Sequence, residues 1–110
     1  MTISEYQERA ARTMNRLCDN LVAAGLGVAG EAGEVADLIK KVRCQGHDLD
    51  DVRDKLREEA GDLAWYIALL CTALGESLED VLRDNIEKLR RRYPDGFDPE
   101  RSIHREKTAP

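Results

Sequence analysis

Gly30-Glu-Ala-Gly-Glu-Val-Ala-Asp-Leu-Ile-Lys-Lys41 and Glu58-Glu-Ala-Gly-Asp-Leu-Ala-Trp-Tyr66 read as the centres of two helices. Each stretch carries two carboxylates three residues apart: Glu31 with Glu34, and Glu59 with Asp62. Positions three apart lie on nearly the same helix face, so each pair aims two acids at one place. Apolar residues continue at helical spacing on either side. Ala29, Ala32, Val35, Leu38, Ile39 and Val42 predict the buried side of the first helix, beginning near Leu26 and stopping before Gly46. Val52, Leu56, Leu63, Ile67, Leu70 and Leu74 give the second a stripe from Asp50 or Asp51 to Leu74, where Gly75 stops it.

Two further helices flank this pair. Upstream, Thr2-x-x-Glu5 forms a capping box, and Tyr6, Ala10, Met14, Leu17 and Leu21 predict a helix from about Ile3 to Leu21. Downstream, Ser77 caps a helix whose apolar face is Leu78, Val81, Leu82, Ile86 and Leu89, and which ends at Tyr93-Pro94. Residues 95–110 are mostly polar and read as a loop-like tail. No strand-like alternation or repeat interrupts the pattern. The expectation is an all-α, four-helix bundle in a single domain over 1–110.

The chain has 110 residues, which leaves a large fraction of surface wet for one core. Four amphipathic helices on so short a chain predict a core completed by dimerisation, as a homodimer or homotetramer. Charged residues make up 35% and aromatics 5%, a profile suited to helices with solvated outer faces. The formal net charge of -5 argues against nonspecific binding to nucleic acid or to an anionic membrane. No apolar run approaches a membrane span and no signal peptide is visible. Cys18, Cys44 and Cys71 are scattered, form no C-x-x-C pair, and read as reduced thiols in a cytoplasmic protein.

If the two central helices pack antiparallel, both acid pairs face each other. Four facing carboxylates repel unless a cation neutralises them, and Mg²⁺ is a hard cation that takes oxygen ligands. Gly30, Ala32 and Gly33 around the first pair, and Ala60, Gly61 and Ala64 around the second, allow close approach, although glycine inside a helix costs about 0.5–1 kcal/mol relative to alanine. An ordinary solvated acidic face accounts for the spacing equally simply.

The two acidic strings resemble the E-x-x-E and E-x-x-D motifs of MazG-like nucleotide pyrophosphohydrolases. Asn85-Ile-Glu-Lys-Leu-Arg-Arg-Arg-Tyr-Pro-Asp-Gly-Phe97 resembles that family's third block, and Glu5-Tyr-Gln7 and Ser102-Ile-His-Arg105 are similar to its ends. The resemblance implies an all-α fold built as a tight dimer or tetramer. It implies Mg²⁺- or Mn²⁺-dependent hydrolysis of a nucleoside triphosphate to a monophosphate and pyrophosphate, in nucleotide-pool cleaning. Carried over by position, Glu31, Glu34, Glu59 and Asp62 become catalytic metal ligands. Lys41, Asn85, Lys88 and Arg92 become candidates for substrate contacts, with Arg91 beside them, against the alternative of a solvated basic helix end. Tyr93 and Phe97 either cover the base or pack the tail.

Other signals carry less. Gly25-Leu-Gly-Val-Ala-Gly30 matches G-x-G-x-x-G, but a helix precedes it where a dinucleotide site needs a strand, and the glycines read as the start of a helix that brings backbones close. Asp48, Asp50, Asp51 and Asp54 fail the calcium-loop spacing. His47 reads as a surface loop residue in preference to a nucleotide contact, and Trp65 and Tyr66 as core or dimer interface, with base stacking as a second role that one of them could share. The rival readings are a phosphoribosyl-ATP pyrophosphohydrolase-like enzyme, a catalytically silent dimerisation module, and a helix-turn-helix DNA binder disfavoured by charge.

Overall fold

The computed structural model describes residues 1–105. It contains α1 (Ile3–Ala11), α2 (Asn20–Cys44), α3 (Leu49–Leu74), α4 (Leu78–Arg92) and α5 (Pro99–Ile103), with no strand among the described residues. Local chemistry sets most of the boundaries. The Thr2 hydroxyl accepts from the Glu5 amide while the Glu5 carboxylate accepts from the Thr2 amide, closing the capping box. Asp48 caps α3, whose end is marked by Gly75 at φ 71. Ser77 caps α4 by accepting from the Asp80 amide.

Two boundaries differ from the sequence expectation. The first helix stops at Ala11, not Leu21, and α2 starts at Asn20, not near Leu26. The cause is Asp19, whose carboxylate accepts from the amides of Leu21 and Val22 and so starts a new helix inside the expected first one. Leu17, read as part of the buried stripe, is 95% exposed in the connection. Gly25, Gly27 and Gly30 therefore lie inside α2 and not at its start. The tail is not wholly loop: Asp98 caps, and Pro99 opens, the short helix α5. The Arg101 guanidinium donates to the carbonyls of Arg91 and Arg92, tying α5 to the end of α4. Residues 106–110 of the expected tail lie outside the described residues.

α2 and α3 form the central hairpin, and α1 and α4 lie against α3. The pairing runs antiparallel. Gly27 meets Tyr66, Glu31 shares a cavity with Asp62, and Glu34 shares another with Lys55. Ala10, Ala68, Cys71 and Leu78 form a contiguous cluster within the core, with Tyr6 and Trp65 packed against it. The Trp65 indole donates to the Ala10 carbonyl and the Thr13 hydroxyl, fixing the end of α1. The Gln7 amide donates to the Thr72 hydroxyl and the Glu76 carbonyl and accepts from the Leu78 amide, which pins the α3–α4 turn.

The expected buried side of α2 is only partly covered. Val35, Leu38 and Val42 are half-buried, whereas Ala29, Ala32 and Ile39 are exposed. A single neighbouring helix covers one stripe, and α2 has apolar residues on more than one.

Candidate active site

The acids meet where α2 crosses the middle of α3. One carboxylate oxygen from each of Glu31, Glu34 and Glu59 lies within 4.8 Å of the others. Glu59 is the innermost at 3% exposed, Glu31 is half-buried, and Glu34 is exposed. Asp62 stands outside this close set but borders a cavity of about 260 Å³ with Glu31, Trp65 and Tyr66. The structure thus brings three of the four expected acids into one cluster and sets the fourth beside it.

The electrostatics follow from that crowding. Glu31 has its carboxyl pushed up to about 7 by its hydrogen-bonding contact with Glu59, then by burial and by the charges of Glu59, Asp62 and Glu34. Glu59 is held below the ordinary carboxylate range, because Glu31 and the Lys55 ammonium both stabilise its charged form. The Lys55 Nζ lies 3.0 Å from Glu59 Oε1, and this contact raises the lysine's own pKa. Glu31 Oε2 and Glu59 Oε2 are both buried without a hydrogen-bond partner. A buried, unpartnered carboxylate oxygen is costly. Two of them beside a third carboxylate are a donor set suited to a hard divalent cation.

The expected substrate contacts fall in two places. Lys41 borders a cavity of about 470 Å³ with Gly30, Gly33, Glu34, Asp37 and Lys55. Its ammonium lies 3.1 Å from Asp37, whose carboxyl is lowered by Lys41 and then by Lys40. Asn85 and Lys88 line a separate groove on α4 with Val81, Asp84, Glu87 and Arg91. That groove shares no lining residue with the two cavities beside the acids. Arg92 is half-buried with an unpartnered Nε. Tyr93 packs on Phe97 with ring centroids 5.2 Å apart, as the tail-packing alternative expects.

One contribution was not read from the sequence. It is Lys55, and its signal was present: lysine four residues before Glu59 on one helix is a neighbour by construction. Trp65 and Tyr66, read as core or interface with base stacking as a role one of them could share, stand edge-to-face with centroids 4.9 Å apart and line the Glu31–Asp62 cavity.

Comparison with known proteins adds to this geometry. A family model described as MazG nucleotide pyrophosphohydrolase domain matches residues 22–97, which include all four acids and the α4 groove. The Gene 37 protein of Mycobacterium phage L5 is 37% identical over 87 residues, covering 72% of this chain and 74% of that protein. The uncharacterized protein YvdC of Bacillus subtilis (strain 168) is 37% identical over 71 residues, 57% of this chain and 66% of its own length. No solved structure matches the chain.

Proposed function

This chain belongs to the MazG nucleotide pyrophosphohydrolase family, and on that premise we propose that it hydrolyses a nucleoside triphosphate between the α and β phosphates, releasing a monophosphate and pyrophosphate. The observation that carries the reading is the convergence of Glu31, Glu34 and Glu59 with two buried, unpartnered oxygens. In this reading Glu31, Glu34, Glu59 and Asp62 hold Mg²⁺, with Mn²⁺ as a substitute. The cation, when bound, supplies positive charge that neutralises the triphosphate and polarises the phosphorus under attack.

The chain's own residues do the rest. Glu59, buried, anchors the inner side of the site, while exposed Glu34 faces incoming substrate. Trp65 and Tyr66 give the Glu31–Asp62 cavity an aromatic wall for the nucleoside. Lys41 stands on the Glu34 side as a phosphate contact. Asn85, Lys88, Arg92 and Tyr93 belong to the reading only if α4 of a second copy closes over the acids, so we assign the active form to a homodimer or a dimer of dimers. The exposed apolar residues Val81, Leu82, Ile86 and Leu89 along α4 support that assignment. The biological role that fits is removal of a non-standard or surplus nucleotide from the cytoplasmic pool.

The test is product identity. Purified protein with Mg²⁺, offered standard and modified triphosphates, should release pyrophosphate and the monophosphate in equal amounts. Diphosphate with orthophosphate as the main products would displace the assigned bond, and no turnover of any triphosphate would displace the activity.

A further inference from the structure

Among the described residues, Lys55 alone forms an ion pair with a member of the carboxylate cluster. It sits one turn before Glu59 on α3, with Nζ 3.0 Å from Glu59 Oε1 and 3.9 Å from Glu58 Oε1. Its partner is unusual: Glu59 is 3% exposed, and its Oε2 is buried without a hydrogen-bond partner. One ammonium therefore satisfies one oxygen of a buried carboxylate that also clusters with Glu31 and Glu34. The lysine side chain is 52% exposed, a hydrated charge on a flexible four-carbon stem. An ion pair with one hydrated partner is held weakly. Lys55 also borders the Glu34-side cavity, where Gly30 and Gly33 present no side chain and Lys41 supplies a second cation.

We propose that Lys55 is an exchangeable counter-ion: it competes with the divalent cation for Glu59 and, once displaced, turns its ammonium into the Glu34-side cavity to meet the anionic oxygens of the substrate's phosphate chain. The phosphate half of this inference rests on the pyrophosphohydrolase reading; the exchange at Glu59 does not.

Mn²⁺ titration of the nucleotide-free full chain tests the exchange. Lys55→Met removes the competitor and should bind Mn²⁺ about tenfold more tightly than the wild type, since one opposing charge beside the site is gone. Lys55→Arg keeps the charge and should bind close to the wild-type value. Lys55→Gln repeats the neutralisation with a polar side chain, so a folding defect peculiar to methionine does not decide the result. Unchanged or weaker Mn²⁺ binding by both neutral variants overturns the exchange. At saturating Mn²⁺, inorganic pyrophosphate should then bind the neutral variants about tenfold more weakly, because a charge-assisted contact is lost. Equal pyrophosphate binding overturns the phosphate half. Neither measurement depends on turnover. Tighter Mn²⁺ binding in a chain that cleaves no triphosphate rejects the proposed activity and keeps the exchange. Turnover by a wild type whose neutral variants bind Mn²⁺ no better rejects the exchange alone.

Discussion

Glu31 and Glu59 face each other across the helix pair, and the cost of bringing them together falls mainly on Glu31. Its carboxyl rises from the ordinary 4.5 to about 7, while Lys55 helps Glu59 keep its charge. A folded-state pKa raised above the unfolded one means the folded chain binds the proton more tightly. The resulting stability is fully present below about pH 4.5 and is lost as pH rises through about 7. Glu31→Gln mimics the protonated acid and can still donate to Glu59. Melted in chelator, the variant and the wild type should be similar below about pH 4.5, draw apart between about pH 4.5 and 7 with the variant more stable, and hold a steady gap above that; a gap that does not change across this window would remove the like-charge account. Glu34, exposed at the mouth, gives a complementary test. Saturating Mg²⁺ should stabilise the wild type by about 2.7 kcal/mol at one hundred times its Kd. Glu34→Gln should shrink that shift and abolish or severely reduce turnover, whereas Asp51→Asn, at the first turn of α3 and away from the cluster, should do neither. Full turnover with an unchanged Mg²⁺ shift in Glu34→Gln would rule Glu34 out as a ligand. The cluster was legible in the sequence because a three-residue spacing fixes a helix face with no knowledge of packing. The offset of Asp62 was not, since it depends on where α2 and α3 cross.

Elements were legible where their punctuation is local and misread where packing decides. Gly75 and Ser77 mark the ends of α3 and α4 through their own conformation and hydrogen bonds, so the chain declares them directly. The glycines of α2 are different. Read alone, Gly25, Gly27 and Gly30 argue against a helix interior, yet Asp19 starts the helix ahead of them. At Gly27 the tertiary reason is visible: a Cβ there would clash with Cδ1, Cε1 and Cζ of Tyr66, so glycine is what lets α2 lie against that ring. Gly27→Ala should therefore destabilise the protein by about 1–3 kcal/mol, as overpacking does, and should disturb the aromatic wall beside Glu31. In a Tyr66→Ala background the ring is gone. The same change should then be neutral or stabilising, by up to about 1 kcal/mol, because alanine is the better helix former. Denaturant melts of the four proteins give the coupling energy. Additive effects would mean that the glycine has no dealings with Tyr66.

At the scale of the whole molecule, the described residues pack loosely. Its radius of gyration is 17.0 Å, against about 13 Å for a compact domain of this length. The buried apolar core consists of Ala10, Ala24, Val52, Ala68, Leu69, Cys71 and Leu78, mostly small side chains, while larger ones lie outside it. Leu26 on α2 is 70% exposed and Ile86 on α4 is 56% exposed. Contiguous apolar faces of this kind mark interaction surfaces, and a closed two-fold assembly is the commonest way for a chain to cover its own. In the proposed assembly, the α4 groove carrying Asn85 and Lys88 would belong to a site completed by the second copy. Light scattering should accordingly give a dimer or a multiple of it. Ile86→Glu, which would place a charge in the covered face, should shift the protein toward monomer. Fully burying an isoleucine contributes about 1.5–3 kcal/mol, so the variant should also melt lower at equal concentration. If assembly completes the site, turnover should fall with the dimer fraction and recover as protein concentration rises, although Ile86 is not among the acids proposed to hold the cation. A wild type that stays monomeric and fully active on dilution would separate the apolar faces from the chemistry. The Asn85–Lys88 groove would then have to be removed from the proposed site.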